Sequence, residues 1–123
     1  MQENHPNRIL IIDDEKELCS ILNEYLTEEG YIVDYSHDGQ TGIEMIKSKQ
    51  PDIIILDHRM PGWDGSLVLK KVREFSSVPI LCVSAISDQK IVDDCLSLGA
   101  NAYICKPVKL DDLLQTIRLH LNT

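Results

Sequence analysis

The stretch PDIIILDHRMPGWDG, residues 51–65, decides the fold. Ile53, Ile54, Ile55 and Leu56 form an apolar run that ends abruptly in Asp57, and turn-forming residues follow at Pro61, Gly62 and Gly65. A short β-branched run without polar alternation predicts a strand buried on both faces, the environment of a parallel sheet covered by helices. Such a strand delivers its terminal carboxylate to the rim of the sheet. In open α/β sheets, ligands bind outside the carboxyl ends of the strands.

The same alternation recurs along the whole chain. Short runs RILIID, YIVDYS, DIIILD, VPILCVS and AYICK are separated by segments of helical length and period. In the first intervening segment Leu18, Ile21, Leu22, Tyr25 and Leu26 share a face, and Gly30 supplies a stop. The last segment repeats the pattern with Leu110, Leu113, Leu114, Ile117 and Leu121. Between them, DGQTGIEMIKSKQP ends at Pro51, DGSLVLKKVREF runs to Phe75, and SDQKIVDDCLSLG opens on a capping serine, Ser87, and closes at Gly99. These segments predict an α/β fold: a doubly wound, five-stranded parallel sheet of order 2-1-3-4-5 with five helices.

Bulk properties fit this reading. The 123 residues suffice for one domain and one core. A net charge of -8 leaves no basic stripe to neutralise phosphates, so direct nucleic-acid binding is not expected. The longest apolar runs fall far short of a membrane span, and the polar start MQENHPNR does not resemble a signal peptide, which predicts a cytoplasmic protein without a membrane role. Cys19, Cys82, Cys95 and Cys105 lack a C-x-x-C pair and are read as reduced cysteines packed as small hydrophobes.

The chemistry is placed at the strand ends. The first strand ends in Asp13 and Asp14, the third in Asp57, the fourth in Ser84, and the fifth in Lys106 followed by Pro107. In the order 2-1-3-4-5 these strands are successive neighbours, so the side chains surround one shallow site. Three carboxylates repel one another unless a cation is present. Magnesium favours hard oxygen ligands and combines carboxylates with water and phosphate oxygens, so Mg2+ is the expected cofactor. Metal, carboxylate, hydroxyl and lysine together suggest phosphoryl transfer, with an aspartate forming an acyl phosphate.

The combination of Asp13-Asp14, Asp57 within D-x-x-M-P-G-x-D-G, Ser84 followed by Ala85, and Lys106-Pro107 resembles the receiver (phosphoacceptor) domain of two-component response regulators. Any one piece is weak, but five in order are specific. The resemblance covers residues 8–121, leaving residues 1–7 as an N-terminal tail. It implies that Asp57 accepts a phosphoryl group from a sensor histidine kinase or a histidine phosphotransfer protein. It implies that Asp13, Asp14, Asp57 and the backbone carbonyl of Arg59 hold the metal, Asp13 largely through water. Ser84 and Lys106 would contact the phosphoryl oxygens, and the Lys106–Pro107 peptide would be cis. Ser84 and Tyr103 would form the switch, remodelling the face of the fourth helix, fifth strand and fifth helix for a downstream output domain or partner protein.

Other residues receive plainer readings. Glu15 reads as an acid favoured by the dipole at a helix start. His58 reads as a variable strand-end residue, while His5, His37 and His120 fall in a tail, a loop and a terminal helix and form no metal cluster. Arg59 is expected to tune the phosphate lifetime, and Trp63 to cap the third helix. A flavodoxin-like nucleotide binder would need a phosphate-cradling loop after the first strand, where this chain reads DDEKE. An aspartyl phosphohydrolase would need D-x-D there. The protein is therefore expected to be a self-modified switch rather than a turnover enzyme, the alternative being a degenerate receiver that binds partners independently of phosphorylation. A phosphorylation-dependent dimer is compatible with the family, although Asn101 and Ala102 stand where dimerising receivers often carry acids.

Overall fold

The computed structural model of the protein describes residues 7–58, 60 and 62–121. The chain alternates strictly: β1 (Arg8–Ile12), α1 (Lys16–Glu28), β2 (Ile32–Ser36), α2 (Gly39–Lys49), β3 (Ile53–Leu56), α3 (Gly65–Arg73), β4 (Ile80–Ser84), α4 (Gln89–Ser97), β5 (Ala102–Cys105) and α5 (Leu110–Leu121). The strands form one parallel sheet of order β2-β1-β3-β4-β5, as the sequence predicts. Ile12 of β1 stands opposite Leu56 of β3, and Ser84 of β4 opposite Cys105 of β5, so the strands end nearly level with one another.

Apolar runs without alternation follow from burial on two faces, since successive side chains of a strand point to opposite sides. Leu10, Ile12, Ile54, Leu56, Ile80 and Cys82 pack with Val68, Leu69 and Val72 of α3 and Cys95 of α4. The intervening residues Ile9, Ile11, Ile53, Ile55, Leu81 and Val83 pack on the other side with α1 and α5. β2 and β5 are the edges, and their side chains are only partly covered.

Three helix starts are set by aspartates. Asp38 accepts from the Thr41 amide at 2.7 Å, Asp64 from Leu67 at 3.0 Å and Asp88 from Lys90 at 2.9 Å. The capping residue of α4 is therefore Asp88 rather than Ser87: both are good caps, and the one with extended backbone immediately before the helix takes the role. Asp64 caps α3 by its side chain, and Trp63 beside it is partly exposed, its ring packing against the core with Lys71 Nζ 5.3 Å from its centroid. Two core expectations shift as well. α1 buries Cys19, Leu22 and Leu26 and leaves Ile21 51% exposed, so its inward face is rotated towards Cys19. Cys105, at the end of an edge strand, is exposed, unlike the other three cysteines.

Gly65 opens α3 where the chain doubles back on the end of β3. Its amide donates to the His58 carbonyl, and a Cβ at this position would lie 2.5 Å from His58 Cα and 3.0 Å from the Asp57 carbonyl oxygen. Because the obstructing atoms are backbone, Gly65→Ala is expected to destabilise the protein by about 1–3 kcal/mol in urea unfolding. Ile21→Ala, a larger truncation at an exposed position, should cost less than about 0.5 kcal/mol.

Candidate functional site

Backbone ladders carry the polar side chains to the carboxyl edge of the sheet. The Asp13 amide donates to Ser36 O at 3.0 Å, Asp57 to Ile12 O at 2.9 Å, and Lys106 to Ser84 O at 2.8 Å. Each bond extends a strand pairing by one step, so the side chains inherit the rigidity of the sheet. Asp13, Asp57 and Ser84 are buried, at 2%, 5% and 1% exposure, whereas Asp14 is half-buried.

Carboxylate oxygens of Asp13, Asp14 and Asp57 all lie within 4.8 Å of one another. Such a spacing suits a single hard cation, and the donor set consists wholly of oxygens. Lys106 Nζ reaches into this cluster. It donates to Asp13 Oδ2 at 3.2 Å, lies 3.6 Å from Asp57 Oδ2, and pairs closely with Glu15 Oε1. The other Asp13 oxygen accepts from the Glu15 amide at 2.9 Å.

Burial is the main electrostatic fact of the site. Desolvation raises the Asp13 carboxyl above the ordinary carboxylate range; the Glu15 amide and Lys106 pull it back without cancelling the effect, and the Glu15 charge adds a smaller upward push. For Lys106, burial acts to lower the ammonium, but the bond to Glu15 and the charges of Asp13 and Asp57 outweigh it, and the net shift is upward. Both shifts are upward and so act on stability with the same sign, in different pH windows. A raised acid favours folding while it is protonated and loses that contribution as pH rises through its folded value. The raised Lys106 contributes at every pH below its unfolded value and is lost only in strong alkali.

Ser84 Oγ accepts from the Ile86 amide at 3.3 Å. The Tyr103 hydroxyl donates to Ile86 O at 2.7 Å; burial raises its titration, while a hydrogen bond with the Ser84 side chain acts to lower it. Tyr103 and Ser84 therefore share the segment that joins β4 to α4. The Lys106–Pro107 peptide is cis. Arg59, along with Pro61 and the tail residues through Pro6, which include His5, lies outside the described residues.

The structure gathers Asp13, Asp14, Asp57 and Lys106, with Ser84 at the adjoining end of β4 and Tyr103 within β5, and adds a residue read otherwise. Glu15 makes no side-chain cap bond to α1; its carboxylate faces Lys106. The available signal was its place directly after Asp13-Asp14, at the same sheet edge as Lys106. His58 turns away from the cluster, with Nδ1 3.4 Å from Cys95 Sγ of α4. Beside Lys106, a cleft of about 590 Å³ opens between the start of α1 and the β5–α5 connection, lined by Leu18, Ile21, Ala85, Pro107, Val108 and Leu110.

Comparison with known proteins agrees with this geometry. The family model for the response regulator receiver domain matches residues 9–118. The response regulator ArlR of Staphylococcus aureus is 40% identical over 115 residues, which are 94% of this chain and 52% of that protein. The chain thus spans about half the length of the curated relatives it matches. A two-component response regulator from Clostridium difficile superposes with a TM-score of 0.92 at 29% identity, covering 95% of this chain and 99% of the other. The BeF3-activated N-terminal receiver domain of Klebsiella pneumoniae RstA gives a TM-score of 0.91 at 28% identity, covering 95% and 100%. Matched by the family model over residues 9–118 and by a relative 40% identical over 115 residues, the chain belongs to the response regulator receiver domain family.

Proposed function

We propose that Asp57 is a phosphoacceptor that takes a phosphoryl group from a phosphohistidine on a sensor histidine kinase or phosphotransfer protein. The observation that carries this reading is the ammonium of Lys106 set among the buried Asp13 and Asp57 carboxylates at a rigid sheet edge. In the transfer, an Asp57 oxygen forms a bond to phosphorus while the phosphorus–nitrogen bond of the donor breaks and the imidazole keeps the electron pair. Lys106 moves from its carboxylate partners onto the phosphoryl oxygens, and Ser84 donates its hydroxyl to them.

Asp13, Asp14 and Asp57 would hold magnesium, with the Arg59 carbonyl as a further ligand. Bound there, the ion supplies positive charge beside the transferring oxygens. The raised Asp13 carboxyl supports this assignment, because a buried acid that resists ionisation is stabilised by a cation.

The cleft next to Lys106 offers the donor an apolar foothold, with Ile21 half-exposed on its wall. After transfer, Ser84 turns towards the acceptor and the space it leaves admits the Tyr103 ring, remodelling α4, β5 and α5 for an output domain or partner. The domain acts as a self-modified switch, gaining and hydrolysing its own phosphoryl group. Asn101 Oδ1 is engaged within the chain, accepting from the Ile80 amide at 2.9 Å, so it is not free to serve a dimer through this face.

Intact-mass measurement after incubation with a small acyl phosphate tests the reading. One phosphoryl adduct is expected, dependent on magnesium and lost in Asp57→Asn. The absence of an adduct under any condition would instead indicate a phosphorylation-independent binding module. Lys106→Ala should slow adduct formation roughly 100-fold, the scale of losing one positioned cationic donor, without weakening magnesium binding measured by titration.

A further inference from the structure

α4 is held unevenly along its length. Its one fully buried residue, Cys95, lies in the second half, against His58 and Cys82. Just beyond, the Gly99 amide donates to Leu96 O and Ala100 to Cys95 O, and Gly99 turns the chain towards β5 with φ at +112°. A helix C-terminus favours a nearby cation, but α4 has no basic residue in its last turn.

The charge comes from another helix. Arg73, in the last turn of α3, donates to Gly99 O from Nε at 3.1 Å and from Nη2 at 2.8 Å. Nη2 also reaches Asn101 Oδ1 at 3.1 Å, and Nη1 reaches Ser76 O at 3.1 Å. Asn101 is in turn fixed to β4, its amide donating to Ile80 O at 2.8 Å and its side chain accepting from Ile80 N. The fit is tight: a Cβ on Gly99 would fall 2.8 Å from Arg73 Nε. In the first half of α4 the polar contacts are local, Asp88 bonding Lys90 N and Gln89 bonding Asp93. Ile91 and Val92 there are only half-buried.

We propose that Arg73 anchors the C-terminal end of α4, making it the fulcrum about which the N-terminal half of the helix moves when the segment after Ser84 rearranges. The trigger for that movement rests on the phosphoacceptor reading; the anchor does not. Arg73 is a positioning residue: it is placed to act on the switch face through Gly99 and Asn101.

Hydrogen exchange read by mass spectrometry on peptides covering residues 86–94 and 95–103 tests this, in wild type, Arg73→Lys and Arg73→Met, with and without beryllofluoride and magnesium. In the wild type, beryllofluoride should alter exchange in 86–94 more strongly than in 95–103, whose last residue is the switch residue Tyr103. Without it, Arg73→Met should speed exchange in 95–103 about tenfold, with β1 and β3 unaffected, and Arg73→Lys should rescue part of the protection. Unchanged protection of 95–103 in Arg73→Met, a loss spread over the whole core, or an equal response of both halves to beryllofluoride would overturn the proposal. A wild type that responds nowhere to beryllofluoride would count against the phosphoacceptor reading, and the anchor would then be decided by the two Arg73 variants alone.

Discussion

The ammonium of Lys106 lies among the carboxylates of Asp13, Asp57 and Glu15, and much of the site's design follows from that placement. Two of those acids are almost wholly out of water. Charges so buried need a partner, and a single lysine cannot serve three carboxylates equally. The site is therefore left with excess negative charge that a divalent cation and the redistribution of Lys106 would relieve. A cluster unfavourable when empty is well suited to sense the arrival of new charge, because small changes in occupancy reorder the partners.

The sheet makes this cluster durable. Asp13 and Asp57 follow directly on paired residues of β1 and β3, and the main chain of Lys106 is bonded to Ser84, so the carboxylates cannot separate without breaking ladder hydrogen bonds. The polar set is confined to one edge, while the strands behind it pack on both faces with apolar side chains. Stability and function are thus divided along each strand, the interior supplying the rigidity that the terminal residue uses.

Much of this was legible in the sequence because it depends on local pattern. Apolar runs such as Ile53–Leu56, followed by helical periods, specify a covered parallel sheet, and the sheet order then brings Asp13, Asp14, Asp57, Ser84 and Lys106 to one edge. What escaped depends on tertiary choices that pattern leaves open. Ser87 and Asp88 are both competent caps, and backbone conformation chose the second. Ile21 fits the period of α1, but the helix is rotated to bury Cys19. Glu15 reads as a helix-start acid until Lys106, ninety-one positions away, is seen opposite it. Arg73 could not be distinguished from the lysines around it, since its partners, Gly99 and Asn101, lie across a helix gap that only the fold creates.

The most direct test of the account is the titration of the Asp13 carboxyl carbon by NMR, with and without magnesium. The account predicts that Asp13 titrates above the ordinary carboxylate range in the metal-free protein, because burial dominates, and falls below it when magnesium is added. An Asp13 that titrates at the ordinary value, or one that magnesium does not move, would contradict the claim that this edge is a buried acidic cluster built to receive a cation.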